Sequence, residues 1–326
     1  MTNSVLNQIS KPISDELDEF QSRFKIALKS KVGVVDLVTK YILKQKGKKI
    51  RPTLVLLSSK VAGGITERSY RGAILVELLH TATLVHDDVV DQAEKRRGLP
   101  SINAVWKNKV AVLMGDYLLA RGLMLSVEGE DYDFLKTITG TVKRMSEGEL
   151  LQINKSRKIN LDEDTYFRII SDKTASLLAT CCEIGAASKL DDPAQIDAMR
   201  QFGENLGIAF QIRDDILDYV GSSSVIGKPH AADLREKKIT LPLIYSLKNA
   251  DSKQKKEIIK LVKNISEKGA VDKVVQYVKD LKGIDESYET ARKYSERAKE
   301  NIALFEDSPS KLALEALVDF VINRKN

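Results

Sequence analysis

Apolar side chains recur at helical spacing along almost the whole chain, and that period predicts one helix after another. The run RGAILVELLHTATLVHDDVVDQAEKRR (Arg71 to Arg97) reads as one long helix that stops at Gly98 and Pro100. NKVAVLMGDYLLARGLMLSVEG (Asn108 to Gly129) is apolar nearly all round, which predicts a helix inside the structure. IDAMRQFGENLGIAFQIRDDILDYVG is a third long helix, ending at Gly221. The period then breaks over SSSVIGKPHAADLREKKITLP, a loop leading into a helix near Leu241. From Ser252 the chain turns Lys/Glu-rich, with Ile258, Ile259, Leu261, Val262 and Ile265 as the apolar side of an amphipathic surface helix, and others follow. There is no alternating run longer than a few residues, no separating linker and no solenoid repeat. The expectation is an all-α fold, one domain over residues 1–326, with apolar central helices.

Composition agrees and narrows the function. Only 18 glycines and 7 prolines punctuate 326 residues, which favours long helices over hairpins. A net charge of +6 admits nucleic acid, a membrane surface or a phosphorylated small molecule as partner. Aromatics are 6%, and zinc-finger and RNA-binding motifs are absent, so no nucleic-acid partner is expected. No GxxxxGK[ST] loop is present, which excludes a P-loop NTPase. The first twenty residues do not form a signal peptide, and no window approaches the ~20 apolar residues of a membrane span. A cytoplasmic, non-spanning protein is expected, with Cys181 and Cys182 as reduced thiols buried in a helix.

Two segments carry the chemistry. LVHDDVVDQAEKRRG (Leu84 to Gly98) and FQIRDDILDYVG (Phe210 to Gly221) both contain Asp-Asp-x-x-Asp. On a helix, Asp87 and Asp91 share a face with Asp88 beside them, and Asp214, Asp218 and Asp215 repeat the arrangement. Three carboxylates repel one another, and a helix C-terminus adds partial negative charge. Both clusters therefore call for cations. Hard oxygen donors suit Mg²⁺, which keeps waters and bridges carboxylates to phosphate. The three histidines have no zinc spacing. Basic patches lie at Lys46–Pro52, Glu94–Gly98, Ser171–Ser176 and Gly227–Lys238, and Lys and Arg bind phosphate well.

With these residues in hand, the chain resembles the trans-isoprenyl diphosphate synthases, and among them the long-chain polyprenyl diphosphate synthases of the heptaprenyl and octaprenyl type. GKKIRP, LLHTATLVHDDVVD, RRG, MGDYLL, GELLQI, DKTA, FQIRDDILD and DLREKKITLP occur in the family's order from about Gly47 to Pro242. The resemblance implies an isoprenoid-synthase helical bundle around a deep central cavity, and a homodimer. It implies condensation of isopentenyl diphosphate with an allylic diphosphate into a long all-trans polyprenyl diphosphate for quinone side chains. It implies Mg²⁺ as cofactor, three ions with bound diphosphate. Asp87, Asp88 and Asp91 would hold metal on the allylic diphosphate, and Asp214 would do so from the opposite wall with Asp215 and Asp218 in support. Arg96, Lys173 and Lys238 would grip that diphosphate, with Thr174, Gln211 and Gln152 lining the site. Lys48, Arg51, His80 and Arg97 would hold isopentenyl diphosphate.

Two positions depart from the family pattern: Lys237 and Lys46 stand where glycine is usual. Lys237 is expected to resist a left-handed backbone, and Lys238 keeps the motif position. Ala82 and Thr83, one turn before Asp87, are small where short-chain relatives carry an aromatic residue, so the growing tail is expected to pass them. Leu79 and Leu78 come next, and Leu118, Leu119, Leu123 and Met124 are the expected floor. That predicts a product of about six to nine isoprene units (about C30–C45). The alternatives are a short-chain farnesyl or geranylgeranyl synthase, a class I terpene cyclase, and a non-catalytic partner subunit. A cyclase needs no second diphosphate site, and a partner subunit tends to lose one aspartate motif.

Overall fold

The computed structural model describes residues 2–45, 47–156, 162–220 and 231–324. They are helical, as expected: α1 (Thr2–Ser10), α2 (Ser14–Ala27), α3 (Gly33–Lys44), α4 (Ile50–Val61) and α5 (Glu67–Val90) open the chain. After a two-stranded hairpin come α6 (Ile102–Glu128), α7 (Tyr132–Ser156), α8 (Glu163–Ile170), α9 (Ser176–Ala187) and α10 (Pro193–Val220). Then follow α11 (Ala232–Arg235), α12 (Leu241–Asn249), α13 (Ser252–Lys263), α14 (Ala270–Asp280), α15 (Gly283–Asn301) and α16 (Pro309–Asn323). The chain forms two compact units. One comprises Met1–Thr139, Thr180–Arg200 and Phe305–Leu314, the other Gly140–Ala179, Gln201–Leu304 and Glu315–Asn326.

In the first unit α5 is the central element. Thr66 caps it through a reciprocal capping box with Ser69. It buries Leu75, Leu78, Leu79, Ala82 and Val85, the leucines contributing about 1.5–3 kcal/mol each. Gly122 on α6 permits the approach: a Cβ there would meet Leu75 Cδ1 at 3.3 Å and Leu78 Cβ at 3.5 Å. Cys181 and Cys182 on α9 are buried and free, as expected.

Helix α5 does not run to Gly98. It ends at Val90, where Gln92 turns left-handed (φ 51°). The basic segment becomes β1 (Lys95–Arg96) paired with β2 (Leu99–Pro100) in antiparallel register. Arg97 (φ 52°) and Gly98 (φ 80°) form the two-residue turn, whose positive φ values match the twist of a hairpin. Arg97-Gly98 is thus a hairpin turn and Gly98 is not a helix stop.

Helix α6 also differs from expectation. Its backbone breaks at Lys107 (φ 70°). It buries Ala111, Met114, Gly115, Leu118 and Gly122, but Leu113 (58%) and Met124 (48%) are exposed, as are Val112 and Val127. A helix apolar all round has here only one covered face in the single chain. By length and composition α6 could cross a membrane, with 33% of its apolar window buried, so such a window exists where none was expected.

In the second unit α10 provides the spine, burying Ile208, Ile212, Ile216 and Tyr219 at helical spacing. Tyr166 and Ile170 of α8, Leu241, Leu243 and Ile244 of α12, and Val274, Val275 and Val278 of α14 share that core. Of the apolar residues expected on α13, Ile258 and Val262 are buried while Ile259 faces out.

Candidate active site

In the first unit, the end of α5 presents the first aspartate motif. Asp87 and Asp91 are exposed and Asp88 is 2% exposed. Arg96 reaches back from β1 and donates through Nε to Asp88 Oδ1 at 2.6 Å. Burial pushes the Asp88 carboxyl up, and Arg96 opposes it. Acid and base therefore meet across a hairpin, not along one helix.

Two turns earlier on α5 a cavity of about 320 Å³ opens. Its walls bring together Lys48, Arg51, His80 and Arg97, the four residues expected at one diphosphate, together with Lys49 and Glu77. Lys49 takes a left-handed conformation (φ 51°) at the start of α4. Arg51 Nε is buried and has no hydrogen-bond partner among the described residues, a donor of the kind an anion satisfies. Burial, with Arg51, Arg97 and Arg96 around it, drives His80 down to about 2, so its imidazole is neutral. Burial pushes the Glu77 carboxyl up against the pull of Arg51, Arg97 and Lys49. Sharing Glu77, His80 and Arg97 with this cavity, a cleft of about 470 Å³ runs from Asp88 and Arg96 past Leu84 to Phe20, Phe24 and Ile42. Glu77 and Lys49 were missed by sequence reasoning, though Glu77 lies three residues before His80 and so shares its helix face.

In the second unit, α10 presents the second aspartate motif. Asp214 is half-exposed and pairs with Arg324 Nη2 at 2.6 Å. Asp215 is buried and accepts from Tyr166 Oη at 2.7 Å and Gln211 Nε2 at 2.9 Å. Burial pushes its carboxyl up to about 8, against those two hydrogen bonds. Asp218 accepts the backbone N–H groups of Ala232 (3.0 Å) and Asp233 (3.1 Å) at the start of α11.

A small cavity of about 120 Å³ gathers Gln152, Lys173, Thr174, Gln211, Asp215 and Lys238 in that unit. Lys173 Nζ donates to Gln152 Oε1 at 2.8 Å and lies 2.5 Å from Glu149 Oε2. Thr174 Oγ1 donates to Gln211 Oε1 at 2.9 Å. Lys238 Nζ pairs with Glu236 at 2.6 Å. Lys237 does adopt the left-handed backbone expected to resist it (φ 58°), at a cost of about 1–2 kcal/mol. Lys238, not Lys237, reaches the cavity. Asp233 and Tyr166 line it too and were not anticipated.

The expected chain-length residues lie in the first unit, outside both cavities described there. Ala82 is buried, Thr83, Leu119 and Leu123 are half-buried, and Met124, expected in the floor, faces outward. Lys46, Gly221, His230 and the basic patch from Gly227 to His230 lie outside the described residues.

Among the described residues no group of three His, Cys, Asp or Glu side chains is placed to hold a metal ion unaided. The donor set nevertheless suits Mg²⁺. Asp87 and Asp91 offer hard oxygens in the first unit and Asp214 does so in the second, and this ion takes one or two carboxylates and completes its shell with water and substrate phosphate.

A family model described as polyprenyl synthetase matches residues 33–280. The chain is 34% identical over 314 residues to a geranyl-diphosphate-specific all-trans-nonaprenyl-diphosphate synthase of Rhodobacter capsulatus, covering 96% of each protein. It is 34% identical over 286 residues to heptaprenyl diphosphate synthase component 2 of Geobacillus stearothermophilus, covering 88% of each. The crystal structure of a polyprenyl synthase from Caulobacter crescentus CB15, complexed with calcium and isoprenyl diphosphate, superposes with a TM-score of 0.89 at 30% identity over 98% of each chain.

Proposed function

The chain belongs to the polyprenyl synthetase family, and from that premise we propose how its residues build a long all-trans polyprenyl diphosphate. Lys48, Arg51, His80 and Arg97 hold the diphosphate of isopentenyl diphosphate. The observation that carries the reading is the cavity that gathers these four around a buried Arg51 Nε with no hydrogen-bond partner among the described residues. A terpene cyclase has no use for this second anion site.

The allylic diphosphate falls to the other residues. In the first unit Asp87 and Asp91, with Asp88 behind them, would hold Mg²⁺, and in the second Asp214, backed by Asp215 and Asp218, would do so, with three ions in the loaded enzyme. Arg96 in the first unit and Lys173 and Lys238 in the second grip diphosphate oxygens; Gln152 aligns Lys173, whose Nζ donates to it, and Thr174 and Gln211 line the second unit's cavity. When bound, Mg²⁺ neutralises charge on the leaving diphosphate. The Lys and Arg groups stabilise the same developing charge from the protein side. The allylic C–O bond breaks, the double bond of isopentenyl diphosphate forms the new C–C bond, and a proton leaves with the released diphosphate as base. Neutral His80 contributes a hydrogen bond without competing for that proton. No protein nucleophile is required.

The product has about six to nine isoprene units and serves a quinone side chain, in line with the small Ala82 and Thr83 beside the first aspartate motif. The chain works as a homodimer. The exposed apolar face of α6, Val112, Leu113, Met124 and Val127, is the surface a second copy would cover. Light scattering that returns the 36.4 kDa of one chain would remove the dimer. The reaction itself is tested by diphosphate release that requires farnesyl diphosphate, isopentenyl diphosphate and Mg²⁺ together. Release without isopentenyl diphosphate would point to a cyclase.

A further inference from the structure

Between α8 and α9 the helix widens into a π turn over Ser171–Ala175, the segment SDKTA, in which Ser176 N–H donates to Ser171 O. Such a turn carries one extra residue, is intrinsically disfavoured, and persists where its surroundings hold it. Here the hold is visible. Arg144 of α7 donates through Nε to Asp172 Oδ1 at 2.8 Å, and through Nη2 to Ser171 Oγ at 2.8 Å and Glu204 Oε1 at 2.9 Å. Ser171 Oγ itself donates to Glu204 Oε1 at 2.6 Å. One guanidinium thus ties the first two residues of the turn to α10.

Two glycines let the turn come in. A Cβ on Gly148 of α7 would lie 2.9 Å from Asp172 Cβ and 3.1 Å from the Lys173 nitrogen. A Cβ on Gly207 of α10 would lie 2.5 Å from Ala175 Cα. The turn is therefore clamped on both sides by backbone approach as well as by charge. The residues it presents are Lys173 and Thr174, which face Gln152 and Gln211 in the small cavity.

We infer that Arg144 is a positioning residue: by anchoring Ser171, Asp172 and Glu204 it holds the π turn in the one register that aims Lys173 and Thr174 at the allylic diphosphate. This rests on the proposed role of Lys173. Arg144 touches no substrate; its contribution is to preorganise groups that do, where displacements of about 1 Å can cost about a hundredfold. A lysine cannot replace it, since one ammonium lacks the planar fork that meets three oxygens.

The test compares Arg144→Lys, Arg144→Met and Glu204→Gln with the unaltered full chain. Steady-state kinetics would be run with farnesyl diphosphate and isopentenyl diphosphate varied separately, and titration calorimetry with Mg²⁺ and farnesyl thiolodiphosphate. Both Arg144 variants are expected to raise the KM for farnesyl diphosphate, and the Kd for its thiolo analogue, about ten- to a hundredfold. The KM for isopentenyl diphosphate should stay within about twofold, and Glu204→Gln should give a smaller change of the same kind. The inference is overturned if the variants lose melting temperature or active fraction while the folded protein keeps its farnesyl KM and Kd, or if Arg144→Lys behaves as the unaltered chain. If the unaltered chain binds the thiolo analogue but elongates nothing, the reaction assignment fails while the Kd comparison still decides the role of Arg144.

Discussion

Arg324 closes on Asp214: its Nη2 donates to Asp214 Oδ1 at 2.6 Å and to the Phe210 carbonyl at 3.0 Å, with the guanidinium stacked 4.1 Å over the Phe210 ring. A fixed side-chain cation thus sits on a carboxylate that the proposed chemistry assigns to Mg²⁺. Removing that cation should have two separable effects. Arg324→Gln is expected to lower the Mg²⁺ concentration for half-maximal rate by about tenfold, because a competitor for Asp214 is gone. It should also cost about 1–3 kcal/mol of stability in urea unfolding, from the lost charged hydrogen bonds. An unchanged Mg²⁺ requirement would mean that Arg324 does not compete.

The aspartates should differ in kind. Asp87→Ala is expected to reduce turnover about 10²–10³-fold with little change in melting temperature, whereas Asp214→Ala should lose turnover to the same extent and stability as well, since it strands the Arg324 guanidinium that it binds at 2.6 Å. Asp88→Ala should lose stability as well as turnover, since it strands the Arg96 guanidinium that it binds at 2.6 Å. Circular dichroism melts beside kinetics distinguish the two patterns.

His80 gives a pH signature of folding. An unfolded histidine takes up a proton near pH 6.5, whereas folded His80 does so only at about 2. Below pH 6.5 the unfolded chain therefore binds one more proton, and stability falls as pH falls, by up to about 1.4 kcal/mol per pH unit. Above that range the contribution is flat. Urea titrations between pH 7 and 5 should show this slope reduced in His80→Gln. Equal slopes would mean that His80 titrates normally.

Product length should respond to Ala82. It is 2% exposed on α5, and Ala82→Phe adds a ring where the tail is proposed to pass. The expected result is a shorter product on reversed-phase chromatography, with about 1–3 kcal/mol lost to overpacking. A folded mutant with unchanged product would place the tail elsewhere.

Much of this was legible in the sequence because helical period survives burial. The course of α10, the amphipathic α13 and the buried cysteine pair could all be read from spacing. The aspartates stood out because like charges recur where a helix ends. Long-range pairing left no such trace. Arg96 meets Asp88 only because Gln92 and Arg97 turn left-handed, and Arg324 meets Asp214 across 110 residues. The exposed side of α6 was unreadable for another reason: composition reports that a face is apolar, not whether the same chain covers it. Glu77 and Arg144 carry ordinary helix-surface residue types, and only packing shows which charges they serve.

The central claim is repeated five-carbon elongation. Purified protein incubated with Mg²⁺, farnesyl diphosphate and radiolabelled isopentenyl diphosphate, followed by reversed-phase chromatography of the dephosphorylated products, measures it directly. The account predicts labelled all-trans alcohols of about six to nine isoprene units, lost in Asp87→Ala. Label that never enters a product longer than farnesol would contradict it.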